Sequence, residues 1–184
     1  MSPKQIVFVT GLSASGKSSI AKQLATDTGF VLFSVGNFQR AFAKSQGYSD
    51  VTEFNRKVGL QKAYFELLPS ILREINSLIQ KNNGVIIEGL YSKSLMDHVK
   101  ESFPTATVKL FNVGLSRHKR STRYAEREEL NLKIAKNKMR RLDNNKRAIG
   151  FQEVQQLRGP GIHTIRNNGT PNQAIEAIKR HLRR

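Results

Sequence analysis

Gly11-Leu12-Ser13-Ala14-Ser15-Gly16-Lys17-Ser18 is the stretch that decides the fold of this chain. It fits G-x-x-x-x-G-K-[ST] in full. Before it, Gln5-Ile-Val-Phe-Val-Thr10 is a short β-branched and aromatic run, the composition of a fully buried strand. After it, Ser18 to Ala25 sets apolar residues at helical spacing, with Ile20 and Leu24 four apart. Strand, glycine-bounded loop and helix is the context a phosphate-binding loop requires. By chance, the four fixed positions would occur in roughly one chain of this length in a hundred.

The chemistry accounts for the spacing. Gly11 and Gly16 let the backbone wrap closely around phosphate oxygens, so that N–H groups of Ser13, Ala14, Ser15, Gly16, Lys17, Ser18 and Ser19 become candidate donors. The helix that follows adds the positive end of its dipole. Lys17 is expected to reach the β- and γ-phosphates of ATP, and the Ser18 hydroxyl to hold Mg2+.

The 184 residues suit one domain, 1–184, with a substantial core. A hydrophobic content of 38% fits a globular protein, and no apolar run approaches a membrane span. No signal-peptide pattern opens the chain, and no cysteine is present to form a disulfide or a thiolate metal site. A cytoplasmic, monomeric protein is expected. The formal charge is +17, from 31 Lys and Arg against 14 acids. Leu115–Arg184 holds 18 basic and 6 acidic residues, so it supplies +12 of that excess. Such a field attracts polyanions, whether RNA, DNA or phosphorylated small molecules, and charge does not choose among them.

Along the chain, strands alternate with helices. Val31–Ser34 reads as a strand, Asn37–Lys44 as a helix stopped by Gly47, and Asp50–Glu53 as the start of a turn or helix. Leu60–Gln80 reads as a long helix that Pro69 kinks or splits. Gly84–Glu88 is a buried strand, Lys93–Ser102 a helix and Ala106–Val113 a strand. Leu115–Ile149 is a charged helical region, and Gly150 and Gly159-Pro160-Gly161 break the chain before a strand at Ile162–Ile165. Thr170-Pro171 opens a last helix to Leu182, as an N-cap followed by proline. The order implies an α/β fold with a parallel sheet covered on both faces, and ligands at the carboxyl ends of its strands.

Several segments besides the loop carry a family resemblance. Phe33-Ser-Val-Gly36-Asn37-Phe-Gln-Arg40, with Ala43–Gly47 and Thr52–Asn55, resembles the acceptor-binding segment of nucleoside monophosphate kinases, most closely the archaeal-type cytidylate kinases. Ile86-Ile87-Glu88-Gly89 resembles the acid–Gly segment ending that family's third strand. The region from Arg117 or Arg120 through Arg123, Arg127 and Arg141 to Arg147 and Gly150 resembles its Arg-rich lid. Arg166-Asn-Asn-Gly-Thr170 resembles a loop that contacts adenine in small P-loop kinases.

The resemblance implies a three-layer P-loop kinase fold with a five-stranded parallel sheet, an acceptor segment at about 34–65 and a lid at about 115–150. It implies transfer of the ATP γ-phosphate to a CMP- or dCMP-type acceptor. Lys17, Arg123, Arg127, Arg141 and Arg147 would act on the transferring phosphate, and Asn168 and Gly169 would touch adenine. Gly36, Asn37, Arg40, Glu88 and Gly89 would hold the acceptor, with Glu88 reaching Mg2+ through water. Arginine suits such work because its fork grips phosphate bidentately and stays charged.

Each residue has a plainer reading. Arg40 and most of the 115–147 cations would be solvated surface, Asn167–Gly169 an ordinary turn, and most of Phe38, Phe42, Phe54, Tyr64 and Phe65 core rather than base-stacking groups. The chain also departs from the family pattern. Leu90 stands where the family has an arginine, Asn37 replaces an aspartate, and Arg141-Leu142 replaces Arg-Glu. These changes weaken the acceptor side and leave open a kinase for another nucleotide, a metabolite or a nucleic-acid end. A nucleotide-gated RNA-binding ATPase is the alternative from another class.

Overall fold

The computed structural model describes residues 3–183. Five parallel strands form one sheet in the order β2-β3-β1-β4-β5. They are β1 (Gln5–Thr10), β2 (Val31–Ser34), β3 (Gly84–Glu88), β4 (Thr107–Gly114) and β5 (Ile162–Arg166). The helices are α1 (Lys17–Thr28), α2 (Val35–Ser45), α3 (Val51–Val58), α4 (Leu60–Lys81), α5 (Lys93–Ser102), α6 (Arg117–Arg127), α7 (Leu132–Ala148), α8 (Phe151–Gln156) and α9 (Pro171–Leu182).

The two-residue period of the central strand builds three layers. Ile6 and Phe8 of β1 join Val85 and Ile87 of β3 under α4 and α5, where Ile71, Ile75, Ile79 and Leu95 pack. Val7 and Val9 point the other way, with Ile86, Phe111 and Val113, against Ile20 and Leu24 of α1 and Ile175 and Ile178 of α9. Each fully buried side chain of this kind contributes roughly 1.5–3 kcal/mol. Because β1 is buried on both faces, it reads as a continuous apolar run rather than an alternating one.

Two departures from the sequence reading have physical reasons. α4 runs through Pro69 without a break. Its buried stripe of Ala63, Tyr64, Leu67, Ile71, Ile75 and Ile79 spans the proline, which sits on the exposed face where water can take the freed carbonyl. Between Gly150 and Gly159 the chain forms α8, which the glycine pattern alone reads as a break. Phe151 and Val154 anchor this helix in the core, Phe151 meeting the edge of Tyr91 at 6.4 Å. No helix of the described residues is long and apolar enough to cross a membrane.

The strand register sets the site. Glu88, last in β3, stands beside Val9 of β1 and Ser34 of β2, so the P-loop, the acid and the start of α2 meet at one end of the sheet.

Candidate active site

The P-loop depends on both its glycines. A Cβ at Gly11 would lie 2.6 Å from the Val113 carbonyl oxygen, and one at Gly16, where φ is +89°, would lie 2.4 Å from Asn167 Nδ2. Between them Ala14 adopts φ 58°, a left-handed conformation uncommon outside glycine. α1 begins at Lys17, so its N-terminus carries Lys17 and Ser18 into the site.

Glu88 is the hub. Its carboxylate accepts from Ser34 Oγ at 2.6 Å and from Ser18 Oγ at 3.0 Å, and pairs with Lys17 Nζ at 3.4 Å. Burial alone pushes this carboxyl up. The Lys17 charge and the bonds from Ser34, Ser18 and Lys17 together outweigh burial and hold it below the ordinary carboxylate range. The anion and the adjacent hydroxyl are hard oxygen donors, the set that suits Mg2+ alongside nucleotide phosphates. Among the described residues no group of three or more His, Cys, Asp or Glu is clustered to hold a metal by itself.

A cavity of about 800 Å³ opens from this point. Of the residues singled out from sequence, Ser13, Ala14, Lys17, Ser18, Gly36, Arg40, Glu88, Arg127 and Arg141 line it. Arg40 bonds the Asn37 side-chain oxygen and lies over Gly36. Arg127 pairs with Glu128 at 2.8 Å and stacks on Tyr124, its charged carbon 5.2 Å from the ring centre. The plainer reading holds for Phe54, which is buried in the core, while Tyr64 is both buried and on the cavity wall.

Other candidates lie elsewhere. Arg147 is exposed and bonds Asn144 Oδ1 at 3.3 Å, on a different face of α7 from the cavity. Arg123 hangs over the second P-loop glycine, 3.5 Å from where a Gly16 Cβ would stand. Gly89, with φ +98°, turns the chain and donates its N–H to the Val9 carbonyl at 3.0 Å. Asn168 and Gly169 are exposed, and the Asn168 carbonyl accepts from Lys119 at 2.6 Å. The neighbouring Asn167 is the residue that reaches the loop, donating to the Ser15 carbonyl at 2.8 Å while buried. Leu90 is fully buried, its carbonyl accepting from Thr10 Oγ1 at 2.6 Å, so the arginine position of the family is core here. Tyr91, next along, faces the cavity instead, and burial followed by the Glu88 charge raises its hydroxyl pKa far above the ordinary value.

Sequence reasoning gave no role of their own to Lys146, Gln39, Asp50 and Arg56, and named Thr52 and Asn55 only as the bounds of an acceptor-like segment; all six are on the cavity wall. Lys146 is the most unusual of them. Its ammonium donates to Ser13 Oγ at 3.1 Å and lies 5.4 Å from the Tyr91 ring centre. Burial, then the Lys17 charge, pushes it down to about 7. A signal was present: Ala135, Met139, Asp143 and Lys146 recur at helical spacing, which puts two charged residues on the buried face of α7.

Comparison with known proteins places this geometry. A UPF0200 protein of Pyrococcus abyssi is 27% identical over 113 residues, 59% of this chain and 59% of that protein. A cytidylate kinase of Methanoregula boonei is 28% identical over 92 residues, 50% of this chain and 48% of that one. The chain therefore spans 59% and 48% of the length of these curated relatives. Among solved structures, a sugar kinase from Janibacter superposes with a TM-score of 0.66 over 98% of this chain and 95% of its own, at 16% identity. A shikimate kinase from Bacteroides thetaiotaomicron gives 0.62 over 98% and 99%, at 14% identity. These likenesses establish the P-loop kinase fold. The family model described as an AAA domain matches residues 7–149, most of the chain, and the chain belongs to that AAA_18 family.

Proposed function

We propose that this chain is an ATP-dependent kinase that transfers the γ-phosphate to a nucleoside monophosphate of the CMP or dCMP type. One observation carries the reading. A single cavity is lined both by Lys17, Ser18 and Glu88 and by Arg40 and Arg56, so two phosphate-bearing reactants can meet in it. Phosphoryl transfer needs this positioning and charge neutralisation more than it needs a covalent nucleophile.

The division of labour follows from the geometry. The P-loop amides and Lys17 take the ATP phosphates. Ser18 and Glu88 are the residues to hold Mg2+, which when bound neutralises charge on the β- and γ-phosphates. Arg40 and Arg56 hold the acceptor phosphate, whose oxygen is already anionic and attacks without a general base. Arg127 and Arg141, on the two lid helices, approach the transferring group, and Lys146 places a further cation beside Ser13. The lid covering the cavity excludes water and limits ATP hydrolysis.

A second reading has its own observation. With Leu90 in the core and Tyr91 at the wall, the acceptor end has lost one of the family's cationic contacts. That favours an acceptor other than CMP, either another nucleotide or a polar metabolite. Turnover with ATP-Mg against CMP, dCMP, UMP, AMP, shikimate and gluconate separates these readings. Phosphorylation of CMP or dCMP supports the first, and transfer only to UMP, AMP or a hydroxy acid supports the second. ATP hydrolysis stimulated by RNA, with no acceptor phosphorylated, would overturn both and favour an RNA-dependent ATPase.

A further inference from the structure

The lid is attached to the nucleotide loop by a buried ion pair that the reaction itself does not use. Arg120 on α6 and Asp143 on α7 pair at 2.7 Å, both nearly out of contact with solvent. They grip one residue of the P-loop through the two peptide groups that flank it. The Ser13 N–H donates to Asp143 Oδ1 at 2.9 Å, and the Ser13 carbonyl accepts from Arg120 Nη1 at 3.0 Å. Lys146, one turn on, takes the Ser13 hydroxyl as acceptor at 3.1 Å. All three polar groups of Ser13 are thus held by lid residues.

The next residue is the strained one. Ala14 has φ 58°, a conformation that persists in a non-glycine residue when its surroundings over-determine it. Ala14 packs on a small cluster formed by Tyr124, Ala135 and Met139 of the same two helices. Hydrogen bonds therefore fix residue 13, and packing fixes residue 14, from one source.

We infer that Arg120 and Asp143 are positioning residues that lock the P-loop into its nucleotide-binding shape before ATP arrives. α6 and α7 then stay on the loop where Arg120, Tyr124, Met139 and Asp143 meet it, leaving Arg127 at the end of α6 and the exposed Arg141 side chain free to turn over the phosphates. The inference rests on the donor site proposed above, but the lock can be measured without turnover.

The first measurement is amide hydrogen exchange on the nucleotide-free wild-type protein. The Ser13 amide should exchange at least about a hundredfold more slowly than an open loop amide. Exchange at the solvent-limited rate would overturn the proposal, whatever the variants do. The second uses Arg120→Met with Asp143→Leu, because apolar replacement of a buried pair is commonly tolerated. ATP affinity, read by equilibrium titration, should fall about tenfold or more while the melting temperature stays within a few degrees and acceptor KM is unchanged. Unchanged ATP affinity in the folded double variant sinks the positioning role and leaves a merely structural pair. If that variant does not fold, Asp143→Ala, which takes the acceptor away from the Ser13 N–H, is held to the same comparison. A wild-type protein that binds no ATP would remove the donor site, while Ser13 protection would still report the lock.

Discussion

Ser13 has its N–H, carbonyl and hydroxyl all held by residues of α6 and α7, and Lys17 and Ser18 both converge on Glu88. On the α2 and α3 side of the cavity, the Arg40 and Arg56 side chains are exposed, and the bond found for Arg40 runs to Asn37 one turn away. The difference teaches where specificity resides. The side we propose for the triphosphate is preorganised, which suits a donor common to many reactions. The side we propose for the acceptor is open and polar, which suits ordering by whichever acceptor arrives, as closing lids and loops do in induced fit.

The largest effects should come from the ordered half. Lys17→Ala is expected to lower turnover by about a thousandfold or more with any acceptor, since it removes a charge aimed at the transferring phosphate. Loss confined to one acceptor would break the division into donor and acceptor ends. Glu88→Gln should lower kcat by about a hundredfold and shift the Mg2+ dependence to higher concentration.

Glu88 also carries a pH signature. Its folded pKa lies below the ordinary 4.5, so its ionised form contributes stability that is present above that value and lost as the pH falls through the lower folded one. Thermal unfolding should therefore show the wild type losing its margin over Glu88→Gln only in acid, below about pH 4.5. A margin that fades between neutrality and pH 5 would contradict the network around this carboxylate.

The open half should respond more gently. Arg40→Ala and Arg56→Ala are each expected to raise acceptor KM about tenfold, with ATP affinity little changed, because an exposed cation binding a phosphate is screened and replaceable. Steady-state kinetics with both substrates varied test this. A rise in ATP KM of the same size would mean that Arg40 and Arg56 belong to the donor, and the contrast between the two ends would collapse.

What could be read from sequence follows the same line. The P-loop was legible because Gly11, Gly16, Lys17 and Ser18 are each required by local geometry, and the strands because buried apolar runs leave few alternatives. β1, β2 and β3 have the expected bounds, and the sheet is parallel as anticipated. α8 escaped because six residues are too few to show a helical period, and Phe151 and Val154 place it only through the core they join. Lys146 escaped for a different reason. Among the seven cations of α7 it differs in which face of the helix it occupies, and that face is set by packing on the P-loop. Arg147, one residue on, turns to solvent.

Lys146 allows the smallest and most discriminating test of the ordered half. Its folded pKa is about 7, against 10.5 for an ordinary lysine. Below 7, the folded and unfolded states both hold the proton, and the folded protein bears the full cost of a buried charge. Between 7 and 10.5 the folded amine is neutral while the unfolded one still binds a proton, so unfolding takes up a proton and stability rises with pH. Lys146→Met removes the titrating group and loses one bond to Ser13, worth about 1 kcal/mol. The variant should melt a few degrees above the wild type at about pH 6, and that advantage should shrink as the pH approaches about 10. An advantage that is the same at both pH values would mean the ammonium is not strained by burial. The ordered end would then be held by hydrogen-bond geometry alone, rather than carrying a charge that an arriving polyphosphate can relieve.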